Sequence, residues 1–63
     1  MKTFYAYGDD GQEEITADSL RTAAAIVQSK ITPAMVADGA WAVVRDETTM
    51  ETILISKGLI MRL

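Results

Sequence analysis

Ala17-Asp18-Ser19-Leu20-Arg21-Thr22-Ala23-Ala24-Ala25-Ile26-Val27-Gln28-Ser29-Lys30-Ile31 is the longest stretch of the chain with a helical apolar period. Leu20, Ala23, Ala24, Val27 and Ile31 follow the i, i+3, i+4, i+7 spacing and fall on one stripe. The spacing predicts a helix over 18–31, with Asp18 or Ser19 as the N-cap accepting from free N–H groups of the first turn. Asp18 at the start and Lys30 near the end suit the helix dipole. Two of the five stripe residues are alanine, so the helix is expected to lie low on a sheet. Ile26 projects to the shoulder of the stripe.

The flanking segments read as strands. Residues 2–7 are rich in aromatic and β-branched types. Gly8-Asp9-Asp10-Gly11 is a turn signal, and residues 12–17 return as a second antiparallel strand. Within that strand Glu13, Ile15 and Ala17 share one face, and Glu14 and Thr16 the other. Beyond the helix, Thr32-Pro33 followed by Gly39 punctuates a short second helix near 33–38. Residues 40–45 and 50–56 read as a third and fourth strand about a polar loop, Asp46-Glu47-Thr48-Thr49. Lys57-Gly58 then breaks the pattern, and 57–63 is an apolar tail. The expected fold is α+β: a two-layer β-β-α-β-β domain over residues 1–63, a four-stranded antiparallel sheet with one long helix on one face.

One helix covers one side of a sheet, and the second half of this chain is apolar on both. Val43 and Val44 point to opposite sides; Ile53 and Ile55 point one way, Met50 and Leu54 the other. The second face needs a cover, either the tail 59–63 folding back, pairing at an edge or across a dimer, or a second subunit.

Size points the same way. A chain of 63 residues buries only about 60% of its unfolded surface and is marginal without reinforcement. There is no cysteine to form a disulfide and no histidine to ligate a metal, while 49% of the residues are hydrophobic. Self-association, as a homodimer or higher oligomer, is the expected reinforcement.

Charge and residue types exclude several kinds of chemistry. The formal net charge is −3, and five of the nine acids (Asp9, Asp10, Glu13, Glu14, Asp18) lie within residues 9–18, a window with no base. Direct nucleic-acid binding needs the opposite sign and is not expected. With no histidine or cysteine, and with Ser19, Ser29 and Ser56 at ordinary element ends, no catalytic residue, cofactor or metal site is expected. Asp9-Asp10-Gly11-Gln12-Glu13 lacks the spacing of a calcium loop. The N-terminal residues have no apolar core of a secretory signal and no run approaches the ~20 residues of a membrane span, so the cytoplasm is the default compartment.

What remains is interaction. Tyr5 and Tyr7 share a strand face opposite Phe4; if Phe4 lies under the helix, the tyrosines stand on the open face. Trp41 reads as a core or interface anchor. A protein-interaction module would use Tyr5, Tyr7, Trp41, Leu54 and Ile60. The alternative is an acidic decoy whose carboxylates at Asp9, Asp10, Glu13 and Glu14 occupy a basic nucleic-acid-binding groove. In format alone, a tiny acidic protein without catalytic residues is similar to phage- or mobile-element-encoded inhibitors.

Overall fold

The structure, a computed structural model, describes residues 1–9 and 11–62. Its elements in chain order are β1 (Lys2–Gly8), β2 (Gly11–Ala17), α1 (Leu20–Ser29), α2 (Pro33–Ala37), β3 (Trp41–Arg45), β4 (Thr52–Ser56) and β5 (Leu59–Arg62). The strands form one antiparallel sheet in the order β2-β1-β3-β4-β5, and α1 lies across one face. The α+β class and two-layer plan match the sequence reading, but the sheet has five strands rather than four.

The fifth strand comes from the segment read as a tail. Lys57 and Gly58 have φ of 55° and 77°, and they link Ser56 directly to its pairing partner Leu59. Two central residues with positive φ form the turn that matches the twist of a two-residue hairpin. Lysine is an uncommon residue there, which is why the pair reads as a break. The turn is fastened to the helix: Gln28 Nε2 donates to the Gly58 carbonyl at 2.8 Å. Leu63 lies outside the described residues.

The helix is shorter than its apolar period. Ala17 belongs to β2 and is buried there. Ser19, not Asp18, is the N-cap, its hydroxyl accepting from the Thr22 N–H at 3.2 Å. Helical structure stops at Ser29, with Lys30 as C-cap, so Ile31 packs partly buried against the core from outside the helix. The short α2 forms as its punctuation implies, with Thr32 capping the Met35 N–H and Pro33 in the first turn.

The core lies between α1 and the sheet. Phe4 and Ala6 of β1, Ile15 and Ala17 of β2, Ala42 and Val44 of β3, and Ile53 and Ile55 of β4 meet Leu20, Ala23, Ala24 and Val27 of the helix. Five of these twelve residues are alanine, so the two layers approach closely and Phe4, Ile55 and Val44 supply the bulk. Helix position is fixed at both flanks: Gln28 reaches the β4–β5 turn, and Lys30 Nζ is 2.9 Å from Glu13 Oε2 on β2.

The β3–β4 connection is built on Asp46, which is 7% exposed. Its Oδ1 accepts from the Thr48 N–H at 2.9 Å and the Thr49 N–H at 3.4 Å, and Lys2 Nζ lies 3.9 Å from Oδ2. The Thr48 N–H above all, then the Thr49 N–H and the Lys2 ammonium, hold this carboxyl below its ordinary value of 3.8. A pKa lowered by folding contributes stability above the unfolded value, and that contribution is lost as the pH falls through the lower folded value. Asp46→Asn is therefore expected to melt below the wild type at neutral pH, with the gap closing in acid below about pH 3.8. Thermal unfolding followed by circular dichroism at the two pH values checks this; a gap that persists in acid would remove the charge from the explanation.

Candidate functional site

Strand register decides which side chains face away from the helix. Alternation puts Tyr5 and Tyr7 of β1 opposite to Phe4 and Ala6. The pairings Gln12–Tyr7, Tyr7–Val43, Val43–Leu54 and Leu54–Met61 run as one row across all five strands. A second row runs Glu14–Tyr5–Arg45–Thr52, and a third Trp41–Ser56–Leu59. Directly paired residues share a face, so these three rows, with the Thr3–Thr16 pair, lie on the open side of the sheet.

That side is apolar in the middle and polar at its margin. Tyr5, Tyr7, Val43 and Leu54 are half-buried among their neighbours. Trp41 is 43% exposed, Leu59 63% and Met61 42%. At the margin the Tyr7 hydroxyl donates to Glu47 Oε1 at 3.1 Å, and Arg45 Cζ lies 5.7 Å from the centroid of the Tyr7 ring. Partial desolvation, followed by the Glu47 carboxylate that it donates to, holds the Tyr7 phenol above its ordinary range. Tyr7 thus stands as a neutral donor fixed in one orientation, an amphipathic aromatic of the kind enriched at binding surfaces.

The residues singled out from the sequence separate into three places. Tyr5, Tyr7, Trp41 and Leu54 come together on the open face. Trp41 is not a core residue, because β3 begins there at the end of the sheet and turns it to the uncovered side. Ile60 does not join them: it pairs with Ile55, on the helix side, where it is 39% exposed. The acids do not form one array. Glu13 is on the helix side, held by Lys30, while Glu14 is on the open side beside Tyr5, and Asp9 is in the β1–β2 turn. Asp10 lies outside the described residues.

Val43, Leu59, Met61 and the Arg45–Glu47 margin are not among the interaction residues read from the sequence. Val43 was legible, since parity puts it with Trp41 and Arg45. Leu59 and Met61 were not, because their face depends on the two-residue β4–β5 turn. The tail, which joins as an edge strand, does not fold across the open side.

A cleft of about 460 Å³ opens at the end of the molecule between the β1–β2 turn, Lys30, Met35 and Trp41. Asp9 and Glu13 both line this cleft, and Glu13 is paired there with Lys30 at 2.9 Å. Among the described residues no group of three or more carboxylates is placed to hold a metal ion, and no helix is long and apolar enough to cross a membrane. No protein-family model, curated protein or solved structure matches the chain.

Proposed function

We propose that the protein is a non-enzymatic protein-interaction module that self-associates and works through the side of the sheet that α1 leaves uncovered. The observation that carries this is the open face itself: tyrosine, tryptophan, valine, leucine and methionine in adjacent rows, with a polar margin at Arg45 and Glu47. In 63 residues without cysteine or histidine, contact with another chain is a ready way to reinforce a small core. The decoy reading draws less support. A phosphate mimic needs its carboxylates on one surface, and here Glu13 and Glu14 face opposite ways with Glu13 engaged by Lys30.

Light scattering across the micromolar range is the first test: the mean particle mass is expected to rise above 6.9 kDa with concentration. Mass fixed at one chain throughout would remove the self-association. Variants then discriminate the surfaces. Leu54→Asp, in the centre of the open row, is expected to abolish capture of any protein that the wild-type chain retains, whereas Glu13→Lys with Glu14→Lys leaves it intact. The reverse pattern, with binding that collapses in salt, would favour the decoy.

A further inference from the structure

The two edges of the sheet are unlike. β2 carries Glu13 and Glu14 in mid-strand, one on each face, so an added strand would meet a carboxylate on either side. β5 begins Leu59-Ile60-Met61, all exposed, with no charge among the three. On the helix side, α1 leaves a groove of about 340 Å³ over this edge, lined by Arg21, Ala25, Ile53 and Ile60. Its cause is geometric. A helix about 10 Å across covers two or three strands spaced about 4.8 Å apart, and this sheet has five. Gln28 lies on this flank of α1 too, since it reaches the β4–β5 turn.

We propose that β5 is a dimerisation edge: a second copy of the chain adds its own β5 antiparallel about a two-fold axis normal to the sheet, giving a ten-stranded sheet. The proposal rests on the self-association inferred above and names the surface that performs it. A second copy is favoured because an antiparallel strand edge is complementary to itself, as a two-fold contact requires. In a two-residue hairpin the pair flanking the turn, Ser56 and Leu59, exchanges backbone hydrogen bonds. Ile60 and Arg62 therefore direct their N–H and C=O groups outward, towards the position of an added strand.

Face parity limits the register. Side chains alternate, so the two copies keep their helices on one side only if the axis passes through a residue rather than between two. An axis at Ile60 pairs Ile60 with itself and Leu59 with Met61 of the second copy; an axis at Met61 pairs Ile60 with Arg62. Either way the apolar row of the open face runs on across the axis, and the two grooves beside α1 merge over Ile60. The contact is small. A four-residue edge is about 13 Å long, well short of the roughly 800 Å² per partner of a standard interface, so the dimer belongs to the weak, micromolar class.

Sedimentation equilibrium of wild type, Ile60→Val and Ile60→Pro tests this. Proline at 60 removes an outward N–H and leaves the β4–β5 ladder intact, so the variant is expected to fold and to dimerise at least tenfold more weakly, while Ile60→Val dimerises as wild type. Far-ultraviolet circular dichroism verifies the fold. A second readout does not depend on proline. The chain has no cysteine, so a single introduced one can crosslink only between copies. Ile60→Cys or Met61→Cys, whichever lies at the axis, is expected to oxidise to a disulfide dimer, because opposed Cα atoms sit about 4.5–5.5 Å apart. Val43→Cys on the open face is expected not to. If Ile60→Pro leaves the dimer unchanged and Val43→Cys crosslinks instead, the edge assignment fails and self-association stands. A wild type that remains at single-chain mass overturns both, leaving β5 open to a strand from a different protein.

Discussion

Phe4→Ala is expected to abolish the cooperative thermal transition of this protein, or to lower its midpoint by tens of degrees. Phe4 is fully buried on β1, an interior strand between β2 and β3. Truncating a buried phenylalanine costs about 3–5 kcal/mol, transfer and cavity terms together. A chain of this length has a total stability of roughly 3–9 kcal/mol. The loss is thus comparable with the whole, and each kcal/mol moves the midpoint by about 4–8 °C in a domain of this size. The alanines around Phe4 aggravate it, because Ala6, Ala17, Ala23 and Ala24 have no length with which to collapse into the void. Ile53→Val, also buried, removes one methylene and is expected to cost only about 0.5–1.5 kcal/mol. Calorimetry on the pair is decisive: equal midpoints would mean that the core is not organised around Phe4.

The second large effect is at the join between the two parts of the sheet. Within the sheet, the hairpin β1–β2 is joined to the meander β3–β4–β5 by the β1–β3 ladder, over the four pairs from Tyr5–Arg45 to Gly8–Ala42. Gly8 is the last of these, and a Cβ there would lie 2.9 Å from the Trp41 carbonyl oxygen. Backbone cannot swing aside as a side chain does, so Gly8→Ala must push β1 and β3 apart at their shared end. The expected cost is about 1–3 kcal/mol, the usual range for overpacking. Hydrogen exchange measured by NMR distinguishes this from a uniform loss: protection should fall first at residues 41–43 and 6–8, ahead of the β3–β4 ladder. Gly11 makes the contrast, since its surroundings are open and only its φ of +108° resists a side chain.

Much of the architecture was legible because it rests on local periods. The 3.6-residue stripe of α1 and the two-residue alternation of β1 each reflect one buried side, and Gly8–Gly11 and Thr32-Pro33 are turn and cap chemistry written in single residues. The helix read over 18–31 overran the structure at both ends: Ser19 is the cap rather than a helical residue, and Ile31, apolar in register with the stripe, is buried from beyond the C-cap. β5 was illegible for a specific reason: Lys57 occupies a left-handed position that sequence preference assigns to asparagine, aspartate or glycine. That one residue concealed both the fifth strand and the face of Ile60. The open-face cluster was partly legible. Parity grouped Tyr5 with Tyr7, but which strands lie side by side depends on the crossover from β2 to β3, and no local signal carries that.

The unlike edges of the sheet have a consequence for how far assembly can go. A strand edge that accepted the opposite edge of the next copy would continue without limit, as fibres do. Here the β2 end presents a carboxylate on each face, while the β5 end is the edge proposed to pair with its own copy. On that proposal, growth through this edge would stop after the first addition. If copies join through β5 as proposed, Glu13 and Glu14 would serve as a chain terminator for the sheet.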